Sequence, residues 1–110
     1  MRLGRGQVYL LHRPPGGDPR PRRAVVVVSR QTLCDSRADK VIVAPVNSNR
    51  DGRSTEVPVG IAEGLKHDSV INCDQLLLVP KSALTDYLGS LPQDKLTTLR
   101  TALRIALELD

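Results

Sequence analysis

The chain has 110 residues, enough for one domain with one core and for folding without disulfide or metal staples. Hydrophobic residues make up 40 % and charged residues 25 %, which excludes both a disordered chain and one embedded in a membrane. The net charge of +4 is uneven: residues 1–40 carry nine Lys or Arg against three Asp, and residues 41–110 carry seven against nine acids. A clustered, Arg-rich surface suits phosphate, because guanidinium offers forked donors that match phosphate oxygens. With Tyr9 and Tyr87 but no Phe or Trp, the core must be built from Val, Leu, Ile and Ala.

In chain order, Gln7–His12 reads as a strand. Residues 13–21, RPPGGDPRP, hold four Pro and two Gly and form an exposed loop, where function often sits. Residues 23–29, RAVVVVS, predict a strand buried on both faces. Residues 40–46, KVIVAPV, predict another, closed by the polar stretch NSNRDG with its Asp51-Gly52 turn signal. Residues 54–59 alternate, and Pro58 marks an edge strand. Gly60 and Gly64 bracket one helical turn. Residues 68–72 and 75–79 are short strands around Cys73-Asp74, 82–84 is a turn of helix, and 86–91 is a short strand holding Gly89.

Over 93–109, Leu96, Leu99, Leu103 and Leu107 recur at three- and four-residue steps beside Ala102 and Ala106, with Pro92 at the start. That is the apolar stripe of an amphipathic helix of about four turns. The sum is a mainly β fold, a small bent antiparallel barrel with a C-terminal helix, occupying residues 1–110 as a single domain without repeats or linkers. Cys34 and Cys73 show no Cys-x-x-Cys spacing and no His at ligand distance in the sequence, so they read as two reduced thiols. No metal site and no cofactor are expected. Residues 1–25 do not form a signal peptide, and the longest apolar run, 24–28, is far too short for a membrane span, so a cytoplasmic protein is expected.

Several segments resemble one family in order and spacing. A strand from residue 7, a Gly/Pro loop and then the Arg-led valine run resemble the opening of the MazF/PemK/Kid toxins. Val43-Ala44-Pro45-Val46-Asn47-Ser48-Asn49 resembles that family's V-A-P-I-T-S-N stretch. Thr55-Glu56-Val57, Gly64-Leu65-Lys66 with Asp68-Ser69-Val70, Asp74-Gln75, Leu88-Gly89-Ser90-Leu91 and the closing helix follow in register. The resemblance implies a fold shared with the CcdB gyrase poisons and a homodimer that cuts single-stranded RNA at short sequences without a metal. It also implies a MazE-like antitoxin that covers the RNA groove, with DNA contacted only indirectly through that partner.

The resemblance places the family's catalytic Arg on Arg23, with Arg22 as the alternative, since Ala24 stands where the family has Pro. The family's loop acid falls on Asp18, and its catalytic Thr or Ser falls on Asn47, followed directly by Ser48. RNA cleavage can use the substrate's 2′-hydroxyl as nucleophile. The enzyme must then align the hydroxyl, stabilise a dianionic phosphorane and move two protons. Arg23 is expected to stabilise charge and to donate a proton to the 5′-oxygen second, and Ser48 or Asn47 to position the phosphate. Asp18 is a candidate base and His12 a weaker one. RNA contacts are expected from Arg13, Arg20 and Arg22 in the first loop, from Asn49, Arg50 and Arg53 in the second, and from Gln75. The competing readings are a gyrase-binding poison, disfavoured by a C-terminus without aromatics, and a catalytically weak member that binds antitoxin or DNA.

Overall fold

The computed structural model describes residues 2–14 and 18–110, so positions 15–17 of the predicted loop lie outside the described residues. Seven strands form: β1 (Gln7–His12), β2 (Arg22–Val27), β3 (Lys40–Asn47), β4 (Glu56–Val59), β5 (Ser69–Asn72), β6 (Leu77–Pro80) and β7 (Asp86–Ser90). Two helices accompany them, α1 (Gln31–Asp35) and α2 (Gln93–Ala106), with single 3-10 turns at Ile61–Glu63 and Lys81–Ala83. All pairings are antiparallel, in the order β4-β5-β3-β2-β1-β7, with β6 also on β3.

β3 makes the sheet curl. One of its edges carries β2 at 43–45, while the other carries β6 over 40–43 and then β5 at Val46 and Asn47. A strand that hands one edge to two partners bends the sheet into a half-barrel. Both faces are packed, which is why the valine run does not alternate with polar residues. Val8, Val26 and Ala44 point to a cluster closed by Leu99 and Ala102 of α2. Tyr9, Val25, Val27 and Val43 point the other way, to Cys34, Val79 and Leu84. Val25, Val26 and Val27 are fully buried, as the doubly covered strand predicted. β4 is an edge strand, in keeping with Pro58.

Besides shifts of one or two residues at other element ends, three features differ from the sequence reading. α1 was not expected: it is five residues long, and its end is tied by a distant side chain. Lys81 Nζ donates to the carbonyls of Leu33 (2.8 Å), Cys34 (3.1 Å) and Ser36 (2.8 Å). α2 stops at Ala106 rather than 109, because Glu108 turns left-handed at φ 56° and the Leu109 N–H returns to the Arg104 carbonyl at 2.8 Å. β6 begins at Leu77, after a turn in which the Gln75 N–H faces the Asn72 carbonyl. The two cysteines are free and belong to opposite clusters, and burial pushes the Cys73 thiol up to about 11.

The 60–64 turn is pressed against β7 through two glycines. A Cβ on Gly64 would lie 2.1 Å from the Leu88 carbonyl oxygen, and one on Gly89 would lie 2.4 Å from the Glu63 carbonyl oxygen. Gly64 also sits at φ +92°. Gly64→Ala is therefore expected to destabilise the protein by about 1–3 kcal/mol, the range for forced overpacking, read from the urea midpoint at unchanged slope.

Candidate active site

Register assembles the site. Val25 faces Pro45 across β2 and β3, so continuing the antiparallel pairing sets Arg23 opposite Asn47. Directly opposed residues share a face and reach one another. Arg23 Nη2 donates to Asn47 Oδ1. Arg23 Nη1 donates to Asp18 Oδ2 at 2.7 Å, and both side chains are largely withdrawn from water, at 12 % and 14 % exposure. Arg23 Nε is buried with no hydrogen-bond partner among the described residues.

The second oxygen of Asp18 accepts the Arg20 N–H at 2.9 Å. The Arg20 amide, and after it the Arg23 guanidinium, hold the Asp18 carboxyl below its ordinary value against the opposing pull of desolvation. A carboxylate so stabilised is a weaker proton acceptor.

Beside this pair opens a cavity of about 340 Å³. Arg22, Arg23 and Ala24 line it from β2, with Arg20 from the preceding loop and Val46 and Ser48 from the end of β3. Leu10, Leu65 and Leu88 give it apolar wall. Lys66, His67 and Ser69 complete it from the approach to β5, which runs beside β3 with Val70 opposite Asn47. The cavity thus joins the ends of three neighbouring strands under four cations.

The structure brings Arg23, Asp18 and Asn47 into one hydrogen-bonded group, and Arg20, Arg22 and Ser48 into the cavity beside it. The other expected RNA contacts lie outside that lining. Arg13 is exposed with its N–H on the Pro21 carbonyl, and Asn49 is exposed. Arg50 borders a second hollow of about 390 Å³ with Lys95, Arg53 lies 4.0 Å from Asp51, and Gln75 follows the far end of β5. His12 is engaged elsewhere, its Nε2 2.6 Å from Asp86 Oδ2.

The second loop is nonetheless ordered. The Glu56 carboxylate accepts the N–H groups of Asp51, Gly52 and Arg53 at 2.9–3.2 Å. Sequence reasoning missed Lys66, His67 and Ser69 as cavity residues. Their only local signal is a Lys-His pair just after the Gly60/Gly64 bracket, and their place depends on β5 pairing with β3.

A curled antiparallel half-barrel with a C-terminal helix is the architecture of the MazF-like toxins. The family described as PemK-like, MazF-like toxin of type II toxin-antitoxin system matches residues 4–107, and the chain belongs to it. Endoribonuclease MazF3 of Mycobacterium tuberculosis is 32 % identical over 88 residues, covering 80 % of this chain and 84 % of that one. Endoribonuclease MazF6 of the same species is 30 % identical over 114 residues, covering 99 % and 100 %. Among solved structures, the M. tuberculosis toxin MazF-mt6 superposes with a TM-score of 0.81 at 27 % identity, covering 94 % of this chain and 98 % of that one. A mycobacterial endoribonuclease in complex with its cognate antitoxin gives 0.79 at 26 % identity, covering 96 % and 95 %. No helix among the described residues is long and apolar enough to cross a membrane.

The lowered Asp18 carboxyl makes stability depend on pH with a definite sign. Its pairing stabilises the fold above the unfolded carboxyl value, about 3.9, and that contribution is lost as pH falls through the lower folded value. Thermal unfolding from pH 2 to 7 should find Asp18→Asn less stable than the parent at pH 6 and equal to it at the acid end. The exposed Asp35, lowered by Arg2, adds the same trend to both proteins.

Proposed function

We propose that this chain is a metal-independent endoribonuclease that cuts single-stranded RNA, with Arg23 as the charge clamp on the scissile phosphate and the RNA's own 2′-hydroxyl as nucleophile. The observation that carries the reading is the Arg23 guanidinium, held at a strand head beside Ser48 and opening on a cavity that also bears Arg20, Arg22 and Lys66. Fixed donors aimed at developing charge are usually the largest single catalytic term. The two relatives named endoribonuclease support internal cleavage of RNA as the activity.

In the RNA-free site Asp18 occupies the anion position on Nη1. A phosphodiester that enters takes that place, and Asp18 serves as a placeholder that keeps the guanidinium oriented rather than as the base. Asn47 supplies an amide oxygen that holds Nη2, which is how this chain manages without a hydroxyl at that position. Ser48 is then the hydroxyl donor to the phosphate. Leu10, Leu65 and Leu88 offer a surface for a base, and sequence reading falls to Asn49, Arg50 and Arg53 on the loop that Glu56 braces.

The working form is a homodimer in the cytoplasm, silenced by a MazE-like cognate antitoxin that covers the cavity. Dimerisation is supported by Ile42 and Leu78, directly paired across β3 and β6 yet 39 % and 59 % exposed. Leu78→Glu should shift the protein from dimer to monomer in sedimentation equilibrium.

The decisive test is cleavage of labelled single-stranded RNA in EDTA under single-turnover conditions. Arg23→Ala should lower the rate about 10²–10³-fold. A 2′-deoxy nucleotide at the cleaved position should stop cleavage altogether. Undiminished cutting by Arg23→Ala would remove Arg23 from the mechanism, and absence of cutting by the parent would remove the reading itself.

A further inference from the structure

We propose that His67 is the general base of this active site, taking the proton from the RNA 2′-hydroxyl at its Nε2. The inference rests on the ribonuclease reading and supplies the proton acceptor that reading lacks. Asp18 does not serve: it gives up Nη1 when phosphate enters, and the Arg20 N–H, the largest cause of its lowered carboxyl, still holds its other oxygen. His12 is bound to Asp86 on the β1–β7 side and does not line the cavity. His67 does, from the segment that leads into β5, the neighbour of the strand end that carries Asn47 and Ser48.

Local contacts fix the tautomer of the ring. His67 Nδ1 lies 3.1 Å from the Asp68 carbonyl oxygen and 3.4 Å from Ser69 Oγ, whose hydroxyl also reaches the His67 carbonyl at 3.2 Å. A carbonyl only accepts, so Nδ1 carries the proton and donates it there, which leaves the lone pair of the neutral ring on Nε2. Ser69 is buried and sits in the β4–β5 ladder opposite Val59, so the support is rigid while His67 itself is exposed. The charged groups that share the cavity with it are Arg20, Arg22 and Arg23 from the first loop and β2 and Lys66 on its own segment, and Asp68 follows it in the chain.

The step balances. Nε2 takes the 2′-hydroxyl proton as the 2′-oxygen forms its bond to phosphorus. The P–O5′ bond then breaks with its electron pair on the 5′-oxygen, which is protonated from solvent water, directly or through Arg23, which regains its proton from solvent. The products are a 2′,3′-cyclic phosphate and a 5′-hydroxyl, and His67 returns its proton to solvent.

The test compares parent, His67→Ala and His67→Gln on one labelled RNA, single-turnover, from pH 5 to 9. The parent rate should rise from the acid end of that range towards neutral pH, as a general base requires. Both variants should lose that rise and run about 10²-fold slower at pH 7.5, within the usual range for a positioned base. Their melting temperature and RNA affinity should be unchanged, and added imidazole should restore part of the rate to His67→Ala. A 5′-thio leaving group, which needs no acid, should leave the defect in place. The proposal is overturned if the variants keep the parent's rate and pH profile, if the loss lies in affinity alone, or if the 5′-thio substrate abolishes the defect, which would make His67 the acid. A parent that cuts no RNA would instead bring down the ribonuclease reading.

Discussion

The register between β2 and β3 is the constraint on which the site depends. Three consecutive valines with no exposure leave β2 no freedom to slide, because a one-residue slip would turn every side chain to the wrong packed face. Once Val25 is locked opposite Pro45, Arg23 must meet Asn47, and β5, locked to the far edge of β3 by Ile71 and Val70, must deliver 66–69 to the same corner. The position of a guanidinium is thus set by hydrocarbon packing two residues away. Few polar contacts are needed to hold it, which leaves its remaining donors for a ligand.

Electrostatically the site is a basin of cations with one compensating carboxylate in contact with the central one. Asp18 reduces the cost of holding Arg23 at low exposure when no phosphate is present. The same pairing raises a threshold for binding, since an incoming anion must exchange with a carboxylate already in place. Under the proposed ribonuclease reading, an RNA strand would bring further contacts with Arg20, Arg22 and Lys66 that a single anion such as inorganic phosphate lacks, and that competition would favour a polymer over a small anion.

Much of the architecture was legible because its signals are local and strong. Four valines in a row announced a strand covered on both faces, Pro58 an edge strand, and the leucine spacing a terminal helix. Helix α1 was not legible, since five residues have too few repeats for a period and its support comes from Lys81, 45 or more residues away. Arg23, Asp18 and Asn47 were found through a family pattern rather than through their own chemistry, and the structure adds that they bond to one another. The place of His67 in the cavity lining stayed hidden because it depends on which strand β5 pairs with, a long-range fact that no window of sequence carries. Arg13, Arg50, Arg53 and Gln75 were grouped by charge or motif, and none of them is among the residues that line the cavity.

The two cysteines lie under opposite faces of the sheet, both shut away from solvent. A disulfide between them would require the sheet itself to be dismantled, so oxidants have no intramolecular route to lock or distort the native chain. Alkylating reagents meet the same barrier. Each thiol becomes reactive only when its own layer opens, and the chain therefore carries a reporter for each half of its interior: the order in which Cys34 and Cys73 are labelled records which side of the sheet gives way first.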